Sequence, residues 1–292
     1  MKAARFSSLH THSVFCDGTD DIETLCKTAW EKGLSAVGFS SHAPIGRKTG
    51  FRSAWHLPDE RLQAYLDEVR SARRRWEGKI PVYLGLEVDY IAGLMGPADR
   101  DYREMGLDYI IGSVHYLVPP GGAPFTVDGP REEILAGIRE GFGGDGGAYM
   151  NAYWDALIGM IAGGGFDILG HADVVKKNNR GDFFQENGET WLRRGGEAAR
   201  AAARTGAAVE VNTGGLNRRS VRETYPSGAL LRLFGEAGVP ALVTADAHRA
   251  EDLDGHYGAA RRVLLDSGYA ETVFFEGTKN GPGTAVWRAE KL

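Results

Sequence analysis

Residues 108–115 read DYIIGSVH, a short apolar, β-branched run that ends in a histidine. The construction recurs at 82–87 (VYLGLE), 166–171 (FDILGH) and 241–248 (ALVTADAH), each run closing on a carboxylate or an imidazole. The full set of strand-like runs is Arg5–Leu9, Ala36–Phe39, Val82–Val88, Tyr109–Val114, Asp167–Leu169, Ala208–Val211, Ala241–Thr244 and Thr272–Phe275. Between them lie amphipathic stretches near 21–32, 59–77, 97–105, 149–163, 188–204, 227–237 and 254–266. Strand–helix alternation of this kind predicts a parallel sheet with crossover helices, and seven or eight such units predict a closed barrel. Pro58-Asp59-Glu60 marks a helix start, and Gly33, Gly206 and Gly238 mark helix ends before strands. No composition break divides the chain, so residues 1–292 read as a single α/β domain. An irregular insertion at 119–148 carries one short helix over 130–140.

The composition excludes several classes of function. The chain has 292 residues, 42% of them hydrophobic, which is ample material for a large core. Its net charge is −5, which argues against a basic nucleic-acid surface. No apolar run is long enough for a membrane span, and the N-terminal MKAARFSSLHTHS lacks the apolar core of a signal peptide. Two cysteines, Cys16 and Cys26, make no disulfide framework and fit a reducing cytoplasm. GFGGDG at 141–146 has glycine spacing like a dinucleotide fingerprint, but a helix-like run precedes it where a strand is required, so it reads as a flexible loop.

The histidines are less ordinary. His10 and His12 follow the first run as His-x-His, and i, i+2 residues of an extended segment point the same way. His42, His115 and His171 follow later runs, Glu87 ends another, and Asp246 and His248 repeat the i, i+2 spacing. Asp17 lies just beyond the first run. In a parallel barrel these strand ends share one face, so six imidazoles and three carboxylates would converge there. Nitrogen and oxygen donors without thiolate suit Zn, Mn or Fe. His56 and His256 fall outside the pattern and read as surface or helix-start residues, with His56 a candidate pocket-lining residue.

These motifs, LHTHSVFCDG, FSSHAP, GLEVDY, IGSVHYL, DILGHADVVKK, EVNTGGL and VTADAH, resemble the PHP (polymerase and histidinol phosphatase) superfamily, and in particular its histidinol-phosphate phosphatase branch. The resemblance implies a distorted (β/α)7 TIM-like barrel with its active site at the C-terminal strand ends and a trinuclear centre of three divalent metal ions. It assigns His10, His12, Glu87 and Asp246 to the first ion, Glu87, His115 and His171 to the second, and Asp17, His42 and His248 to the third. Asp17 departs from many relatives, which carry a histidine near this place.

Three divalent ions bring six positive charges; three carboxylates and one hydroxide leave about +2, the complement of a phosphate monoester dianion. The expected reaction is attack of a metal-bridging hydroxide on phosphorus, with Asp246 a candidate general acid. Lys176, Arg218 and Arg219 are candidate phosphate clamps, with Arg218 preferred over Arg219 and Lys176 over Lys177. Histidinol phosphate also carries an ammonium and an imidazole. Asp89, then Asp173, are the candidate carboxylates for that end, and Phe51, Trp55 and Tyr116 the candidate aromatic wall. The leading expectation is hydrolysis of L-histidinol phosphate in histidine biosynthesis. The alternatives are another small phosphate ester or a nucleotide, and a non-catalytic module.

Overall fold

The computed structural model describes residues 6–292. Arg5, at the start of the first expected strand, lies outside the described residues. Six parallel strands, β1 (Val37–Phe39), β2 (Val82–Asp89), β3 (Tyr109–Ser113), β6 (Ile168–Leu169), β7 (Ala208–Asn212) and β8 (Ala241–Thr244), form one sheet in that order. Strands β4 (Tyr116–Leu117) and β5 (Phe125–Thr126) make a small hairpin, and β9 (Glu271–Thr278) and β10 (Ala285–Lys291) a larger one. The N-terminal segment pairs at both ends of the sheet: Ser8 bridges Val37 of β1, and Thr11 bridges Ala247 just beyond β8. The six-stranded sheet is thereby curled back on itself.

Strands buried on both faces should read as continuous apolar runs, and β3, β7 and β8 are buried throughout. Tyr109 fills the interior. A Cβ on Gly38 or Gly85 would lie 2.5–2.6 Å from its ring or hydroxyl, so these two strands are glycine where the aromatic ring passes. Helices cover the outside, the first of them Ile22–Glu31, whose N-cap Asp21 accepts from the Thr24 amide.

Two sequence expectations change. The run 272–275 is a strand but not part of the parallel sheet. As β9 it pairs antiparallel with β10, a strand the sequence reading missed. Val273 and Phe275 then pack against Leu9, Tyr109, Ile111, Ile168, Ala208 and Leu242, plugging the barrel end opposite the histidines. Asp167 fastens this plug, accepting from the Gly283 amide at 2.9 Å and the Ile110 amide at 3.0 Å. GFGGDG is a helix-to-helix turn: helix Arg131–Phe142 ends at left-handed Gly143, and Asp145 caps helix Gly146–Gly163. No described helix is long and apolar enough to cross a membrane.

Candidate metal centre

Because the strands are parallel, their C-terminal ends meet at one mouth. The chain delivers His10 and His12 from the segment beside β1, His42 after β1, Glu87 on β2, His115 after β3, His171 after β6, and Asp246 and His248 after β8. Asp17 arrives on the turn beyond His12, its carboxylate 3.1 Å from His248 Nε2 and 3.8 Å from His42 Nε2.

Glu87 is at the middle. Its Oε2 lies 3.2 Å from His10 Nε2, 3.6 Å from His12 Nε2 and 2.9 Å from His42 Nδ1. Its Oε1 lies 3.0 Å from His171 Nε2 and 3.6 Å from His115 Nε2. Asp246, at φ 47° in the left-handed region, reaches His12 Nε2 at 3.3 Å and His10 Nε2 at 3.7 Å. His10 Nε2, His12 Nε2, His42 Nδ1, Asp17 Oδ1 and Glu87 Oε2 are buried, yet none has a hydrogen-bond partner. Buried polar atoms are rarely left so, and five together, all able to present lone pairs, fit divalent cations. Compact donor groups form at His10, His12 and Asp246; at Glu87, His115 and His171; and at His12, Asp17, His42 and His248. His42, Asp89 and His115 make a further such group.

A second layer of carboxylates sets which imidazole nitrogen is free. Glu210, on β7 and fully buried, meets His10 Nδ1 at 2.9 Å. It also accepts from the His171 amide (2.6 Å), Asn212 Nδ2 (2.9 Å) and Thr244 Oγ1 (2.8 Å). A carboxylate with four donors around it is ionised, so His10 carries its proton on Nδ1 and offers the Nε2 lone pair. Burial opposes the charge on Glu210, but His10 and His171 hold its carboxyl below the usual range. Asp89 does the same for His115. Its Oδ1 meets His115 Nδ1 and the His115 amide, both at 3.0 Å, and its Oδ2 meets His56 Nε2 at 2.8 Å. Burial works against the charge on His115, yet Asp89 and Glu87 outweigh it and push its pKa up to about 10. Glu87, against its own burial, is held well below the carboxylate range by His10, His42 and His115.

The cluster floors a cavity of about 350 Å³ whose rim includes Trp55, Asp128, Lys177 and Arg218. Several expectations for this rim are corrected. Asp89 is 1% exposed, with its oxygens spent on His115 and His56, so it underlies His115 outside the cavity lining. His56 is likewise buried, while His256 sits at a helix start as expected. Asp173 is sealed, and its Oδ2 is taken by Lys176 Nζ and the Ser227 amide, both at 2.9 Å. Lys176, held also by Glu223 at 2.9 Å, is buried away from the cavity, and Lys177 is the lysine that lines it. The two follow one another on a 3-10 turn and so point apart.

Arg218 lines the cavity, with Nη2 2.8 Å from Asp246 Oδ2 and Nη1 3.0 Å from His248 Nδ1. Arg219 is exposed and outside the lining. Asp246 is not poised as a general acid: burial favours its neutral form, but Arg218 and His10 hold it well below the usual range, hence ionised. Trp55 is on the wall, Tyr116 stacks behind it with ring planes 4° apart, and Phe51 packs against Tyr116.

Glu210, Asp128 and the role of Lys177 escaped the sequence reading. Glu210 sits in AVEVN, where the charged residue inside a fully apolar strand was the available signal.

Comparison with known proteins agrees with this architecture. Over 94% of its length the chain is 30% identical to a Deinococcus radiodurans protein named "Probable histidinol-phosphatase", 97% of which is covered. It is 24% identical to the histidinol-phosphatase of Bacillus subtilis over 86% of this chain and 96% of that one. A Listeria monocytogenes structure superposes with a TM-score of 0.77 at 21% identity, covering 87% of this chain and 99% of the other. The histidinol phosphate phosphatase of Lactococcus lactis, solved with zinc, L-histidinol and phosphate, superposes with a TM-score of 0.64 at 20% identity, covering 97% and 99%. Residues 8–214 match the PHP domain, and the chain belongs to the PHP domain family.

Proposed function

We propose that this chain is a metal-dependent phosphomonoesterase that hydrolyses L-histidinol phosphate to L-histidinol and phosphate, as a soluble, cytoplasmic enzyme of histidine biosynthesis. One observation carries the chemistry: five buried, partnerless donor atoms around Glu87, at the floor of a cavity edged by Arg218 and Lys177. The substrate is read from the relatives, two of which bear the histidinol-phosphatase name at near full-length coverage. The Lactococcus fold neighbour binds zinc, L-histidinol and phosphate.

The proposed ligand sets are His10, His12, Glu87 and Asp246; Glu87, His115 and His171; and Asp17, His42 and His248. Three zinc, manganese or iron ions held there would supply Lewis acidity and a water acidified toward a pKa of about 7. Arg218 and Lys177 bind the phosphoryl oxygens, and the planar Arg218 fork orients them for in-line attack. Trp55 shields one flank from water. Residues 8–12 supply a seventh stave between β1 and β8, so the barrel reads as (β/α)7 in one domain. The backbone pairs Ser8 with Val37 and Thr11 with Ala247 support that count.

The test is phosphate release from L-histidinol phosphate beside a panel of phosphomonoesters, nucleotides and a phosphodiester, on protein of known metal content. A kcat/KM at least about a hundredfold higher for histidinol phosphate is expected, equivalent to about 2.7 kcal/mol of discrimination. Equal turnover of another ester would remove the substrate assignment and keep the chemistry.

A further inference from the structure

The cavity wall holds one ion pair whose carboxylate has no part in the proposed hydrolysis. Asp128, on the loop after β5, meets Lys177 Nζ through Oδ2 at 3.0 Å, and both side chains are about three-quarters or more buried in the cavity wall. The loop is brought there by the Val127 amide, which donates to the His115 carbonyl at 2.9 Å. The other cavity carboxylates are engaged: Asp17, Glu87 and Asp246 belong to the metal cluster, and Glu133 Oε1 accepts from both the amide and the hydroxyl of Thr126. Asp128 is thus the cavity carboxylate outside the metal cluster that pairs with a cation proposed to bind phosphate. Burial opposes its charge, but Lys177 and then His115 hold it ionised.

We infer that Asp128 is the specificity residue for the ammonium end of the substrate, and that the Asp128–Lys177 pair opens by exchange when a zwitterionic phosphate ester enters. The inference rests on the proposed function. Histidinol phosphate carries a dianion and an ammonium a few bonds apart. Its phosphate takes Lys177 from Asp128, and its ammonium replaces Lys177 on Asp128, so no half-buried charge is left unpaired. The imidazole then lies against Trp55, an aromatic side chain lining the same cavity. An ester without the amine draws Lys177 away and strands Asp128, which is selection by penalty as well as by attraction.

The test is a cycle between Asp128→Asn and removal of the substrate amine. Wild type and D128N are compared on L-histidinol phosphate and on its des-amino analogue, imidazolylpropyl phosphate. The preference for the aminated ester in kcat/KM is expected to fall about 10- to 100-fold in D128N, the range for a lost charge-assisted hydrogen bond. Titration of wild type and D128N with L-histidinol in the presence of inorganic phosphate should show the same loss of affinity. Because each ratio is taken on one preparation, partial misfolding or metal loss cancels. A preference unchanged within about twofold would overturn the assignment and leave the phosphatase intact. A wild-type enzyme with no preference for the aminated ester would remove the proposed substrate, and this assignment with it.

Discussion

Replacing Glu210 with glutamine changes one oxygen to an amide and leaves the volume of a fully buried site nearly constant. The carboxylate accepts four hydrogen bonds, two at each oxygen, from His10 Nδ1, Thr244 Oγ1, the His171 amide and Asn212 Nδ2. A glutamine must set its NH2 against one of these pairs. Placed toward His171, the NH2 opposes a backbone amide at 2.6 Å that cannot rotate away. Placed toward His10, it forces His10 Nδ1 to become an acceptor, and the proton moves to Nε2, the atom that faces Glu87 and Asp246. In either arrangement the lone pair or the position of a proposed ligand is lost without touching the ligand itself.

Removal of a carboxylate behind a ligating histidine typically lowers metal affinity 10- to 100-fold, or about 1.4–2.8 kcal/mol. Because Glu210 holds both His10 and His171, E210Q is expected at the upper end, with stoichiometry falling by about one ion per chain at sub-saturating zinc. The assay is competition against a chromophoric chelator, with metal analysis of the dialysed protein. A folded E210Q that binds zinc within twofold of wild type would refute the reasoning, since it would mean the tautomer and tilt of His10 are set elsewhere.

Lys176→Met should destabilise the fold and leave KM for the ester nearly unchanged, because it strands the sealed Asp173 carboxylate. The expected loss is about 3–5 kcal/mol by denaturant titration. Burial already raises the Asp173 pKa despite Lys176, so the variant should recover stability toward acid pH, where that carboxyl binds a proton. A raised KM with an unchanged melting curve would reverse the roles given to Lys176 and Lys177. Arg218→Ala should cost about 100-fold or more in kcat/KM, whereas Arg219→Ala should stay within about threefold; equal losses would refute the placement. The pKa values of His10 and His115 are raised, the latter to about 10, so both are protonated near pH 7 in the metal-free protein. Zinc must displace those protons, and its affinity should therefore rise with pH. Calorimetry in two buffers of different ionisation enthalpy should show at least about one proton released per chain at pH 7; zero release would contradict the histidine assignments.

The parallel architecture was legible in the sequence because each strand run is apolar on both faces and each helix stretch is not, a pattern local to a few residues. The nine candidate ligands were legible for a related reason. A parallel strand end is a fixed place in space, so a histidine or carboxylate closing each run declares a common face without knowledge of the packing. The last strand was misplaced because Thr272–Phe275 is as apolar as a barrel strand. Only its pairing with 285–291, and the open barrel end it plugs, decides between stave and stopper.

The carboxylates behind the ligands were out of reach for a different reason. His10 and Glu210 lie 200 residues apart, and nothing in either local sequence encodes the other. Asp89 looked like a ligand-facing acid because it follows Glu87 by two, but the closeness of His56 and His115 turned it inward. Adjacent Lys176 and Lys177 are chemically identical on paper, and one turn of backbone sends the first to Asp173 and the second to Asp128 and the cavity. Sequence determined which chemistry the mouth of the barrel can carry, because ligand type and strand period are local properties. Tertiary structure alone decided which charges are free to meet a substrate, because a charge is spent or available according to neighbours that only folding supplies.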